Sequence, residues 1–336
     1  MAARLRSIGA LLTLVSLAVA RPVMAEPLKI RIAWTTVPGQ LTPVLFAKTD
    51  QLRHAGRSYV VEHSRFAGSG PMVTALATDA VDLAPLAPSS FGLALQNARL
   101  RDMRIVSDDY QDGAAGHYSN EFLVRADSPL RTIEDLKGKI LAVNGIGGGS
   151  DSALRAMLRR HGLEDRRDYA IVEANFANMA AMLEERKVDL ISQVLPFSYN
   201  LHREGRVRTL FTMHDVFGTT QSLFNVVRAD FIEKNKRVVA DFFEDYVRAL
   251  RWFLDPEHRD EAVQIVAQFN QRPAATFAGY LFTNEDVYRD RDGRPNLEAL
   301  QNNMRQQKDL GFLAIDVNVA AYADLSFIEE AAKRLR

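Results

Sequence analysis

The stretch KILAVNGIGGGSDSALRAMLRRHG, residues 139–162, packs three signals into a short span. Ile140 to Val143 read as a buried strand, Gly145 to Gly149 as a turn, and Ser152 to Arg160 as a helix by their apolar spacing. A glycine-rich turn between a strand and a helix has several chemical uses. A phosphate loop closes on Gly-Lys-Ser/Thr, and no lysine lies between Lys139 and Lys187. A dinucleotide fingerprint needs Gly-x-Gly-x-x-Gly, which Gly145, Gly147 and Gly149 do not space. What remains is a cradle of free backbone N–H groups at a helix start, with Ser150 and Ser152 as hydroxyl donors. Asp151 fits such a cradle badly for an anion, and fits a helix cap well.

About 110 residues earlier the same order occurs. In KIRIAWTTVPGQLTPVLFAKTD, Ile30, Ile32 and Trp34 read as a strand, Val37-Pro38-Gly39 as a turn, and Leu41 to Lys48 as a helix. The elements that follow also recur. VTALATDAVDLAPLAPSSF and MAAMLEERKVDLISQVLPF each carry a helix, a Val-Asp-Leu strand (residues 81–83 and 188–190) and a proline-marked turn. YVVEHSRF and YAIVEANF supply one further strand to each half, and MRIVS and VRTLF another. The expected fold is α/β: two similar lobes, each a parallel sheet with helices on both faces. The tail from Phe231 onward carries helical spacing throughout, more helix than the second copy needs, and is expected to return to the first lobe. This sets lobe 1 at 28–118 plus 225–336 and lobe 2 at 122–222, with two hinge strands near 118–122 and 220–224.

The ends and the composition bound the class. Arg4 and Arg6 precede the apolar run GALLTLVSLAVA, and Val23-Met24-Ala25 fits a small-x-small cleavage site, so residues 1–25 read as a signal peptide. The apolar run is shorter than the roughly 20 residues that span a bilayer. The chain has no cysteine, which excludes disulfides and a lipid-modified cysteine after cleavage. An exported, periplasmic protein without a lipid anchor is expected, and a monomer. Lysine plus arginine and aspartate plus glutamate both number 42; without residues 1–25, which hold three arginines and no acid, the balance is 39 against 42. No nucleic-acid partner is indicated.

Turns after strands line ligand crevices in open α/β sheets. The candidate contacts are Thr35 and Thr36, Gly70, Ser89 and Ser90, Asn120, and Ser150, Asp151 and Ser152. Asn175 and Gln193 face them from lobe 2, with Phe197 and Tyr199 as aromatic walls whose alternative is core packing. Arg65 and His117 lie close enough in sequence to be considered for an anion clamp. No catalytic set is legible: Gly-x-Ser-x-Gly, His-Glu-x-x-His and calcium-loop patterns are missing. No enzyme activity, cofactor or metal is expected.

Three segments carry a family resemblance. They are FAGSGPMVTALATDAVDLAPLAPSSF (66–91), VRADSPLRTIEDLKGKILAVNGIGGGSDSALRAML (124–158) and NVVRADFIEKNKRVVADFFEDYVRALRW (225–252). Together, in this order, they resemble periplasmic solute-binding proteins of the nitrate/sulfonate/taurine type that serve ABC importers, a group that includes thiamine-pyrimidine-related proteins. The resemblance implies a type II periplasmic binding fold, closure of two lobes on a small solute, and delivery to an inner-membrane permease. The large candidate rings favour an organic anion, a sulfonate or an aromatic carboxylate, over an inorganic one. Two alternatives stand beside it. Pyrimidine-precursor enzymes resemble this fold but rely on a cysteine motif missing here, and a sensory protein presents the same cleft to a receptor.

Overall fold

The computed structural model describes residues 26–97 and 100–336, so the expected signal peptide lies outside the described residues. The chain first forms β1 (Leu28–Trp34), β2 (Tyr59–Arg65), β3 (Leu83–Leu86) and β4 (Met103–Asp112). It then crosses to β5 (Glu121–Arg125), β6 (Lys139–Val143), β7 (Tyr169–Glu173), β8 (Leu190–Gln193) and β9 (Val207–Thr212), and returns as β10 (Thr220–Arg228). Two five-stranded sheets result, ordered β2-β1-β3-β10-β4 and β7-β6-β8-β5-β9. The second order repeats the first, with β6, β7 and β8 in the places of β1, β2 and β3.

The repeat reaches single hydrogen bonds. Each Val-Asp-Leu places its aspartate just before the central strand. Asp82 Oδ2 accepts the Arg31 N–H at 2.8 Å, and Asp189 Oδ2 accepts the Ile140 N–H at 3.0 Å. The aspartate thereby ties the start of β3 or β8 to its neighbour. The strands themselves begin at the last residue of each Val-Asp-Leu motif, Leu83 and Leu190.

The sheets are mixed rather than wholly parallel. β1 pairs in parallel with β2 and β3, but β10 runs antiparallel to both β3 and β4. In the second sheet β5 runs antiparallel to β8 and β9. These reversed strands are the ones that follow a crossing, because a chain arriving from the other lobe enters at the opposite end of the sheet. Residues 220–224 lie inside β10, whose ladder to β4 starts at the Thr220–Asp112 pair. The chain therefore changes sheets at 112–121 and again at 212–220.

Helices cover the sheets: α1 (Thr42–Leu45), α2 (Ser69–Ala77), α3 (Pro88–Gln96), α4 (Gly149–Arg160), α5 (Phe176–Glu184), α6 (Phe197–Arg203), α7 (Met213–Phe217), α8 (Ala229–Phe253), α9 (Arg259–Asn270), α10 (Leu297–Asp309) and α11 (Ser326–Arg334). The helix expected at 41–48 is confined to α1. The tail after β10 is helical and packs on the first sheet. In α8, Val239, Phe242, Phe243, Tyr246, Val247, Leu250 and Phe253 are buried at helical spacing and join Ile30, Ile32 and Tyr59 in one core. Asp245 sits within that buried face. Its carboxylate accepts the Arg53, His54 and Ala55 N–H groups and the Tyr59 hydroxyl, at 2.8–3.2 Å, so a buried charge is fully matched. No helix among the described residues is long and apolar enough to cross a membrane.

Candidate functional site

Between the sheets lies a cleft enclosing about 680 Å³ of atom-free space, its open mouth included. Four helices begin on it. Gly68 and Ser69 at the start of α2, Ala87 before α3, Gly148 to Ser150 at α4, and Phe176 at α5 all line it. None of the four starts receives a side-chain cap among the described residues. Helix starts are ordinarily capped by serine, threonine, aspartate or asparagine. Here glycine, alanine and glycine hold the cap positions of α2, α3 and α4. Free N–H groups and the positive ends of four helices therefore converge on one space.

Part of the remaining lining flanks the crossings. Tyr110, Asn120, Met213, Ser222 and Leu223 flank the two changes of sheet, and Val194, Leu195 and Val287 complete an apolar floor. Among the described residues no carboxylate, imidazole, ammonium or guanidinium lines the cleft. Tyr110 is the one titratable lining residue among those described, and burial pushes its hydroxyl up to about 12. The carboxylates lie behind the wall. Burial raises Asp108, Asp109 and Asp112 to about 7. Asp112 accepts from Ser119 Oγ at 2.5 Å and from the Asn120 N–H at 2.7 Å, which fixes Asn120 at the first crossing.

The candidate residues divide clearly. Thr35, Thr36, Asn120 and Ser150 line the cleft. Gln40 Oε1 accepts the N–H groups of Thr35 and Thr36 at 2.5 and 3.1 Å, shaping that wall from behind. The others lie outside the lining. Gly70 is exposed on α2, and Asn175 is exposed at the cap position of α5 without capping it. Ser89 is buried, and its hydroxyl has no partner among the described residues. Ser90 Oγ donates to the Gly147 carbonyl at 3.1 Å, a contact between lobes. Asp151 accepts the Gly147 N–H at 2.8 Å and Arg155 Nε at 2.7 Å, so it braces its own turn and helix. Burial, partly offset by those donors, holds its carboxyl above the ordinary value. Ser152 Oγ accepts from Gln307, and Gln193 Nε2 donates to the Phe176 carbonyl at 2.9 Å.

The rings serve packing. Phe197 stacks on Phe176 at 6.3 Å, and Tyr199 lies against Tyr280 at 4.9 Å across the lobe boundary. Arg65 turns outward over Trp34 and donates to the Thr35 carbonyl at 3.1 Å, while His117 engages the Asp286 carbonyl. Sequence reasoning named Ser69 within the FAGSGPM turn and set the turn at 193–199, with Val194 and Leu195, facing the cleft, but missed Gln40, Tyr110, Asn144 and Val287. Asn144 was legible as a polar residue beside a glycine turn; in the floor, Val194 and Leu195 follow β8 at a turn of the second copy, and Val287 comes from the tail.

The glycines of the quoted stretch lie beside the other lobe, with ordinary van der Waals room for a Cβ at Gly147 and Gly149. A Cβ on Gly149 would lie 3.4 Å from the Ala87 Cβ, and Gly147, at φ 79°, faces Leu93. Among the described residues no group of three or more histidine, aspartate or glutamate side chains gathers to hold a metal.

Comparison with known proteins agrees with this architecture. The alkanesulfonate-binding protein SsuA from Xanthomonas axonopodis pv. citri, bound to MOPS, superposes with TM-score 0.69 at 20% identity, covering 90% of this chain and 99% of that one. The periplasmic nitrate-binding protein NrtA from Synechocystis gives 0.72 at 16% identity, covering 93% and 90%. The desulfurization enzyme DSZB shares the fold as well, at TM-score 0.64 and 16% identity, covering 92% and 100%. In sequence, the riboflavin-binding protein RibY of Chloroflexus aurantiacus is 27% identical over 191 residues, 57% of this chain and 51% of that one. NrtA of Synechococcus elongatus is 28% identical over 159 residues, 45% and 36%. The chain thus spans about half or less of these curated relatives. A model of the NMT1-like family matches residues 24–267, well over half of the chain, which belongs to that family.

Proposed function

We propose that the protein is the solute-binding component of an ABC importer and captures a small organic anion, a sulfonate or carboxylate with an apolar body. One observation carries this reading: four uncapped helix starts open on a single cleft whose lining, among the described residues, holds no charged side chain. Such N–H groups and helix fields hold an anion without a formal counter-charge. Ser69, Ser150, Thr35 and Thr36 add hydroxyls, and the apolar floor of Val194, Leu195 and Val287 receives the body. Binding rather than catalysis fits the lining, which offers no general acid or base near neutral pH. An inner-membrane permease would be the partner, with a periplasmic monomer as the working form.

A thermal-shift screen tests the reading, with straight-chain alkanesulfonates, aromatic carboxylates, nitrate and riboflavin. A solute that binds only the folded state adds about 2.7 kcal/mol at a hundred times its dissociation constant. Stabilisation by organic anions, but not by their uncharged amides, is expected. Equal stabilisation by the uncharged analogues, or by none of the anions, would remove the basis of the proposal.

A further inference from the structure

Helix α4 faces two ways. Its first turn lines the cleft through Gly149 and Ser150. Ser152 and Arg159, two turns apart on one face, meet chain from the other lobe. Gln307 on α10 donates Nε2 to Ser152 Oγ at 2.5 Å, and both residues are buried. The Arg159 guanidinium donates to the Leu310 carbonyl and lies 4.8 Å from the centre of the Phe312 ring.

The segment that makes these contacts is rooted in the first lobe. Leu300, Met304 and Leu313 are buried in the core beneath β3 and β10. Leu310 and Phe312, between those anchors, pack instead against the core of the second lobe. None of Gln307, Leu310 and Phe312 lines the cleft.

The contact is polar at its centre. Asn303, one turn before Gln307, is buried with both amide atoms unpartnered among the described residues, and the side-chain oxygens of Gln306 and Gln307 are also unpartnered. Each buried, unmatched polar group regains water when the surfaces part, which keeps the contact reversible. Permanent interfaces are the less polar kind; this one releases polar groups on separation.

We propose that residues 306–312 form a cross-lobe latch. Its seating on α4 holds the first turn of that helix against the first lobe and sets how tightly the cleft retains solute, without touching the solute. The proposal rests on the reading of the cleft as a closing solute site. Gln307, Arg159 and Phe312 are positioning residues in this scheme.

The chain has no cysteine, so an introduced pair can be labelled uniquely. Thr74→Cys on α2 and Asn178→Cys on α5 are exposed, one on each lobe. Spin labels at these sites report the lobe-to-lobe distance by double electron–electron resonance, with no solute added. The labelled parent should give one dominant short distance, and adding Gln307→Ala with Phe312→Ala should move at least half of the distribution to a longer one. Superimposable distributions, with cooperative melting retained, would overturn the latch, as would a parent distribution already as broad as the variant's. If the double variant loses cooperative melting, Arg159→Lys decides by the same readout, since it keeps the charge and loses the planar stacking. Because the measurement needs no solute, failure of the anion screen and failure of the latch are seen separately.

Discussion

Serine in place of Ala87 would supply the cap that α3 lacks. Ala87 holds φ −77° and ψ 154°, the extended geometry from which a serine Oγ accepts the N–H of the second or third helical residue, here Ser89 or Ser90. Serine for alanine at a cap gains about 1 kcal/mol. Over a chain of this size that raises the melting temperature by roughly 2 °C. The same oxygen removes one N–H from the cleft and points a lone pair where the anion would sit. A hydrogen bond to a charged group is worth about 1.5–3 kcal/mol, so the dissociation constant should rise about ten- to a hundredfold. The two effects have opposite signs, which separates them from damage to the fold. Urea unfolding gives the first, and titration calorimetry with the anion found by thermal shift gives the second. A stabilised variant that binds its anion as tightly as before would refute the assignment of the α3 N–H groups to solute.

Three further outcomes are expected. Asp108, Asp109 and Asp112 titrate near 7 in the folded protein against an ordinary 3.8, so the folded state holds protons that the unfolded chain has released. Their contribution to stability is complete below about pH 4 and is lost as pH rises toward about 7. The drop in urea midpoint between about pH 5 and about pH 8 should therefore shrink in Asp109→Asn, and an unchanged drop would contradict it. Asp245→Ala strands three backbone N–H groups and the Tyr59 hydroxyl, and should cost about 3 kcal/mol or more, read as a lower urea midpoint. A midpoint equal to the parent's would contradict that account. Gly113 sits at the first crossing with φ 62°, and a Cβ there would overlap the His214 ring. Gly113→Ala should lose about 1–2 kcal/mol from backbone strain alone, and a stability equal to the parent's would refute it.

The architecture was legible where local pattern and tertiary role coincide. Val-Asp-Leu recurs because its aspartate ties adjacent strands in both lobes, and strand–turn–helix recurs because each copy builds the same sheet edge. The antiparallel strands β5 and β10 were not legible as such, since direction is set by where the chain re-enters and not by residue pattern. The site was legible in part for the same reason. Thr35, Thr36 and Ser150 follow strands of the repeat and line the cleft, whereas Tyr110, Met213 and Leu223 come from the crossings. Ser152 and Tyr199 carry polar or aromatic groups at plausible positions, yet both contact the opposite lobe outside the cleft. A hydroxyl on a helix start signals a polar contact; only the packing says with what.

The strand order also dictates a sequence of assembly. β3 and β4 do not pair with each other; each pairs with β10, which lies about 100 residues beyond β4. The second lobe, by contrast, is one continuous run from β5 to β9. Its sheet can complete itself from neighbouring chain, while the first must wait, with the wholly buried Leu83–Leu86 and the separate strand β4 presenting open edges. On a chain that emerges N-terminus first, the part made later is therefore finished sooner, and the interval before β10 arrives is the one most exposed to aggregation.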